Sequence, residues 1–287
     1  MSAPANAPGK RARQFCQINP LFYSISVKKE ILKRHLKDAR SGQRFARTFS
    51  SQPLPNLVYS ESVHLIKRAP GIDLTTQQNK AVNTALAGGK INGIVIHPGE
   101  VFSFWRIVGS TTQRAGYRAG RVIRLNELVT GIGGGLCGLA NTVHYLVVHS
   151  PLTITEMHQH SDALGPDEGG RVPLSAGTSV SYNYVDYRFE NGTDQDVQLL
   201  VWCENETLHA ELRSQRSFPC TYRVVEEDHH FSQEAGKYFR VSRIYREILD
   251  AATGEVLAKQ LIRDNHSAVM YDHALIPEDQ IRPVPAV

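Results

Sequence analysis

Cys137 follows Gly133-Gly134-Gly135-Leu136 and stands just before an apolar run, Leu139 to His149. A helix that starts here turns its unpaired amides and positive end on the thiol, which lowers a cysteine pKa below its ordinary ~8.5. Glycines let backbone approach a substrate carbonyl closely, so the amides at Gly133, Gly134, Gly135 and Gly138 are candidate oxyanion donors. Acyl transfer by cysteine also needs a base and a group that orients it. His160, or its neighbour His158, lies on the next predicted strand and is the candidate base. Asp186, in Tyr184-Val-Asp-Tyr-Arg-Phe, is the candidate orienting group. The plainer alternatives are a small buried thiol at a tight junction, a hydrogen-bonded histidine pair, and an Asp186 that caps a turn or pairs with Arg188.

Metal chemistry is the main rival. His158-x-His160 puts two imidazoles on one face, with His144, His149 or Cys137 as a third ligand. His144 and His149 are five apart, a poor common helical face, so neither metal nor other cofactor is expected. The glycine cluster lacks the Lys-Ser/Thr of a phosphate-binding loop. Phe102, Phe104 and Trp105 supply large apolar surface, and with the glycines they can build a ligand groove.

The elements around these residues can be read from pattern. Val27 to Ala39 reads as a basic helix, with Ile31, Leu32, Leu36 and Ala39 on one stripe. Leu57 to Lys67 reads as extended. Thr75 or Thr76 caps a helix that Gly88-Gly89 stops, and Ile91 to Ile96 is a short buried strand. Arg114 to Leu128 holds two extended pieces. Pro151 ends the helix that carries Cys137. Leu152 to His160 alternates as a strand, placing Leu152, Ile154, His158 and His160 on one face. Ser179 to Glu190 and Val197 to Cys203 read as further strands, with a later hairpin at Asp250 to Glu255.

The expected class is α+β: a single domain with a buried Cys-bearing helix on a mainly antiparallel sheet. A β-rich C-terminal extension and a helical basic N-terminal arm flank it. The boundaries read as 1–56 for the arm, 57–202 for the domain and 203–287 for the extension.

With 287 residues, 22 Gly, 14 Pro and four Cys, the chain is not collagen-like, disordered or disulfide-dense. No apolar run approaches the ~20 residues of a membrane-spanning helix, and no secretory signal is visible. A cytoplasmic location with reduced thiols is the expectation. The net charge of +4 divides into +9 over residues 1–50 and −5 beyond. Residues 1–50 therefore read either as a solvated basic helix with a tail or as an arm suited to peripheral contact with an anionic membrane, and no nucleic-acid partner is expected.

Several blocks together resemble the VanW family, named after a protein of glycopeptide-resistance gene clusters. They are Pro98-Gly-Glu-Val-Phe-Ser-Phe-Trp-Arg, Gly133-Gly-Gly-Leu-Cys, Ser150-Pro-Leu-Thr-Ile, His160 and Asp186-Tyr-Arg-Phe-Glu-Asn. The resemblance implies a link to the bacterial envelope. Some extracytoplasmic members act as L,D-transpeptidases on peptidoglycan stem peptides. Carried over, Cys137 would attack the amide between the third and fourth stem residues, with His160 taking its proton. The family usually has Gln where Gly138 stands and often Arg where Met157 stands. The leading reading is cysteine-dependent acyl transfer or amide cleavage on such a peptide or its precursor. The alternative is a non-catalytic binding or accessory protein of envelope metabolism.

Overall fold

The computed structural model describes residues 20–68, 73–124, 127–159, 162–163, 172–174, 177–182 and 185–283. The chain divides into two compact units, one ending at Gln43 and one starting at Arg44.

The described part of the first unit is helix α1, Pro20–Arg40, with residues 41–43 after it. It begins seven residues before Val27, because a proline is pre-organised for the first helical position. Lys37 and Arg40 sit in its last turn, where cations suit the negative helix end.

The second unit opens with β1 (Arg44–Phe45), β2 (Thr48–Phe49) and β3 (Asn56–His64). Helix α2 (Leu74–Ile91), β4 (Ile94–Ile96), β5 (Glu100–Ser103) and the short α3 (Phe104–Val108) follow. Next come the hairpin β6 (Ala119–Arg124) and β7 (Glu127–Ile132), then helix α4 (Leu136–Val148). The next strands are β8 (Thr153–Glu156), β9 (Asp162–Ala163), β10 (Arg188–Glu190), β11 (Val197–Glu204) and β12 (Thr207–Ser214). The chain closes with β13 (Cys220–Glu234), β14 (Lys237–Asp250), β15 (Val256–Val269) and β16 (Ile281–Pro283).

Two small sheets enclose the main core, in the orders β1-β5-β10-β8 and β2-β4-β11-β12-β3. A third, β16-β13-β14-β15-β9, is built on the long C-terminal strands. Most pairings are antiparallel; β1–β5, β13–β16 and β15–β9 are parallel. The fold is thus mixed α+β with largely antiparallel sheets. Residues 44–49 and 207–214 pair into the two core sheets, so those sheets extend beyond 57–202 at both ends.

Helix α4 buries Leu139, Ala140, Val143, Leu146 and Val147 in one core with Ile94, Ile96, Phe102, Phe104, Phe189 and Leu199. Fully burying an aliphatic or aromatic side chain of this size contributes about 1.5–3 kcal/mol. Phe102 and Phe189 face each other across β5 and β10 and stack at 4.8 Å. The C-terminal sheet contributes Ile244 to a separate small cluster with Val148 and Leu174.

Four local expectations change. Asp73, not Thr75 or Thr76, caps α2, accepting from the amides of both threonines. Helix α2 also passes through Gly88 and Gly89, leaving only β4 as strand. Gly88 serves packing there, since a Cβ on it would lie 3.0 Å from Val201 Cγ1. Strand β8 ends at Glu156, so His158 is not on it, and Asp186 precedes β10 rather than lying within a strand.

The glycines before and within α4 are unlike one another. A Cβ on Gly134 would stand 2.7 Å from Arg121 O and 2.8 Å from Arg121 N, both backbone, whereas one on Gly138 would meet nothing within 4 Å. Gly134→Ala should therefore destabilise the fold by about 3 kcal/mol, the upper part of the usual cost of overpacking. Gly138→Ala should stabilise it by about 0.5–1 kcal/mol through helix propensity. Urea midpoints of the two variants check both signs.

Candidate functional site

The site is the start of α4, and α2 builds its floor. Asn83, fully buried, donates to Arg118 O at 3.0 Å and to Gly134 O at 2.9 Å, and accepts from Arg118 N at 2.8 Å. Four residues earlier, Asn79 donates to Ala119 O at 2.8 Å. One polar face of α2 thus holds both the β6–β7 hairpin and the glycine turn. Gly133 and Gly135 have φ of +81° and +98°, a left-handed conformation that favours glycine.

These glycines are occupied by the protein itself. Gly133 lies against Thr111, Gly134 against Gly120 and Arg121, and Gly135 against the Lys80 stem. The Gly133 amide donates to Arg118 O at 3.0 Å and the Gly138 amide to Gly135 O at 3.1 Å. The hydrogens of those two amides, expected to face an oxyanion, are thus engaged by carbonyls of the protein itself. The close backbone approach anticipated for a substrate is here an approach of the chain to itself.

Cys137 lies in the first turn of α4, partly buried against the main core. Its thiol donates to Val180 O at 3.6 Å. Among the described residues no imidazole hydrogen-bonds the sulfur. Burial pushes the thiol pKa up, and nearby backbone at Val180 and Cys137 itself offsets this only in part. The expected lowering by the helix end is thus reversed, because desolvation of the thiolate outweighs a partial charge.

His160 lies outside the described residues. His158 is exposed and its Nε2 sits 3.2 Å from Glu156 Oε1, while its carbonyl accepts from Ser179 N at 2.7 Å. Asp186 is buried and saturated. Oδ1 accepts from Trp105 N at 3.0 Å and Tyr187 N at 2.9 Å; Oδ2 accepts from Ser103 Oγ at 2.6 Å and Arg188 Nε at 2.7 Å. Four donors fill a carboxylate, so these contacts make Asp186 a tie between β5, α3 and β10, as in the plainer alternative of a pair with Arg188. Trp105 shares that tie. Its Nε1 donates to Val185 O at 2.7 Å, and its ring meets Tyr182 edge-on at 5.4 Å.

The residue that the sequence reading missed is Asn141, one turn beyond Cys137. Its Oδ1 accepts from Gly177 N and Thr178 N, both at 3.2 Å, and from Thr178 Oγ1 at 3.1 Å; its Nδ2 donates to Leu174 O at 3.0 Å. Asn141 thereby anchors the segment whose Val180 carbonyl engages the thiol. A buried amide inside an apolar helix, four residues from the cysteine, was the available signal.

Two other histidines of α4 and its end are spoken for. His149 Nδ1 meets Tyr145 O at 2.8 Å, and its ring stacks on Tyr59 at 3.8 Å. His144 Nδ1 lies 3.1 Å from Tyr187 Oη in the core. Among the described residues no group of three or more His, Cys, Asp or Glu is placed to hold a metal.

A mixed α+β domain with a glycine turn feeding a cysteine-bearing helix is the setting in which the comparisons fall. Residues 79–213 match the VanW family, described as VanW like protein. The chain is 26% identical over 227 residues to the vancomycin B-type resistance protein VanW of Enterococcus faecalis, covering 79% of this chain and 82% of that one. It is 29% identical over 123 residues to an uncharacterized protein, YoaR, of Bacillus subtilis, covering 43% of this chain and 39% of that one. No solved structure matches the chain. The described residues of the site, from Asn79 to Asp186, lie inside the span that matches the VanW family.

His144 gives this region a pH dependence. Burial, then the nearby charges of Arg263 and His149, lower its pKa from 6.5 to about 4. The unfolded chain takes up that proton first, so the stabilisation is complete above pH 6.5 and is lost as pH falls to about 4. The whole effect is about 3 kcal/mol. Urea unfolding of wild type and His144→Gln between pH 7 and pH 4 should show a gap that closes toward acid.

Proposed function

We propose that this protein is a member of the VanW family that binds a peptide of the peptidoglycan stem type, or its soluble precursor, beside the start of α4. In this reading it is a binding or accessory protein of envelope metabolism. The state of Cys137 carries the proposal. The thiol donates to the Val180 carbonyl, burial raises its pKa, and no described imidazole is bonded to it. A nucleophile needs ionisation, and the burial of this sulfur disfavours it. The half-buried Trp105 and Tyr182 offer aromatic surface on the neighbouring segment. The relative in Enterococcus faecalis carries vancomycin resistance in its name, which connects the family with the envelope. We place the work in the cytoplasm, where the free thiols of Cys137, Cys203 and Cys220 would stay reduced. No helix among the described residues is long and apolar enough to cross a membrane.

Cysteine acyl transfer is the second reading, favoured by the open side of α4 at Gly138, next to the thiol. His160 would take the thiol proton. The sulfur would then attack the carbonyl between the third and fourth stem residues, and the amine of the fourth would leave with that proton. An acceptor amine or water, deprotonated by the same histidine, would release the acyl group.

Intact-mass spectrometry and calorimetry with a stem tetrapeptide separate the two readings. The binding reading expects stoichiometric binding with no mass gain, retained in Cys137→Ala. It also expects iodoacetamide labelling of Cys137 to be slow at neutral pH and to accelerate only above the ordinary thiol range. An acyl adduct absent from Cys137→Ala would establish the second reading and overturn the first. Neither binding nor adduct would overturn both.

A further inference from the structure

Helix α1 leaves a run of large apolar side chains in solvent. Leu21, Ile25, Leu32 and Leu36 are 65%, 47%, 60% and 45% exposed. At ~100° per residue these four fall within an arc of roughly 60° along the whole helix. This differs from the stripe expected from the sequence: Leu32 and Leu36 belong to it, but Ile31 is half-buried on another side. Lys28 and Lys29 border the arc about 20° beyond either edge. A shallow hollow beside Leu36 is lined by Lys33, Lys37, Arg40 and Ser41.

The acidic groups of α1 do not cancel this charge at the arc. Glu30 is ion-paired with Lys33 at 2.7 Å, and Asp38 is buried. Two copies meeting through the arc would bring their Lys28 and Lys29 together, which like charges oppose. A stacked nucleic acid would want aromatic rings on the arc, and it has none. An apolar arc bordered by lysines has the character of a helix lying in a bilayer interface, with its stripe at the acyl boundary and its cations on anionic headgroups.

We propose that α1 docks the protein in the plane of a bilayer carrying anionic lipid, through Leu21, Ile25, Leu32 and Leu36, with Lys28 and Lys29 on the headgroups. The docking is independent of the reading of Cys137.

The test is co-sedimentation of the full chain with phosphatidylcholine vesicles, with and without phosphatidylglycerol, across a salt series. Binding should require phosphatidylglycerol and weaken with salt. The double variant Lys28→Gln, Lys29→Gln should bind about 25-fold more weakly, about fivefold per lost cation. Leu32→Ser with Leu36→Ser should weaken binding at least ~10-fold. These positions are exposed, so circular dichroism should report an unchanged fold. Equal binding to neutral vesicles, or full binding by the leucine variant, would overturn the proposal. A dimer that the leucine variant abolishes, with vesicle binding untouched, would assign the arc to a second copy instead.

Discussion

At Gly134 and Gly120 two stretches of backbone approach within the space that a single Cβ would fill, and the position of the cysteine helix follows from that approach. Asn83 supplies the hydrogen bonds that make such closeness tolerable, reading both Gly134 O and the Arg118 peptide from the face of α2. The left-handed Gly133 and Gly135 then turn the chain into α4. Buried backbone polar groups need partners, and here α2 provides them. The turn is therefore a structural joint between hairpin and helix before it is anything chemical.

The chemistry of Cys137 is a contest between two effects of different size. A helix end stabilises a nearby anion by about 0.3–1 kcal/mol at ordinary exposure. Removing a thiolate from water can shift its pKa by several units, and each unit is about 1.4 kcal/mol. In this fold the Val180 carbonyl sits against the sulfur, and Asn141 holds Leu174, Gly177 and Thr178 beside it with four hydrogen bonds. Burial wins. Displacing Val180 would change the balance, because it admits water to the sulfur.

The surroundings of the site extend past the matched span of residues 79–213. Arg263 of β15 reaches Gly177, where a Cβ would lie 3.1 Å from its Nη1, and its charge is among the causes that lower the His144 pKa. Ile244 of β14 packs on Val148, at the far end of the same helix, and on Leu174, one of the residues that Asn141 holds. The C-terminal sheet thus supports that residue.

Local pattern was enough to reveal the buried helix, the β14–β15 hairpin and the family blocks, because each is local: apolar spacing, turn residues, or a contiguous motif; the two extended pieces expected within Arg114 to Leu128 are instead the hairpin β6–β7, which runs on to Ile132. Local pattern also raised the right alternative for Asp186, since Arg188 stands two residues away. What each glycine makes room for was not legible, nor were the cap at Asp73, the hub at Asn141 and the end of β8. Those depend on partners from 30 or more residues away, or on competition among adjacent candidates that only packing settles. The sequence by itself determined that a thiol would stand at the beginning of a helix; the tertiary structure decided its acidity, because acidity depends on how much water the rest of the chain leaves around the sulfur.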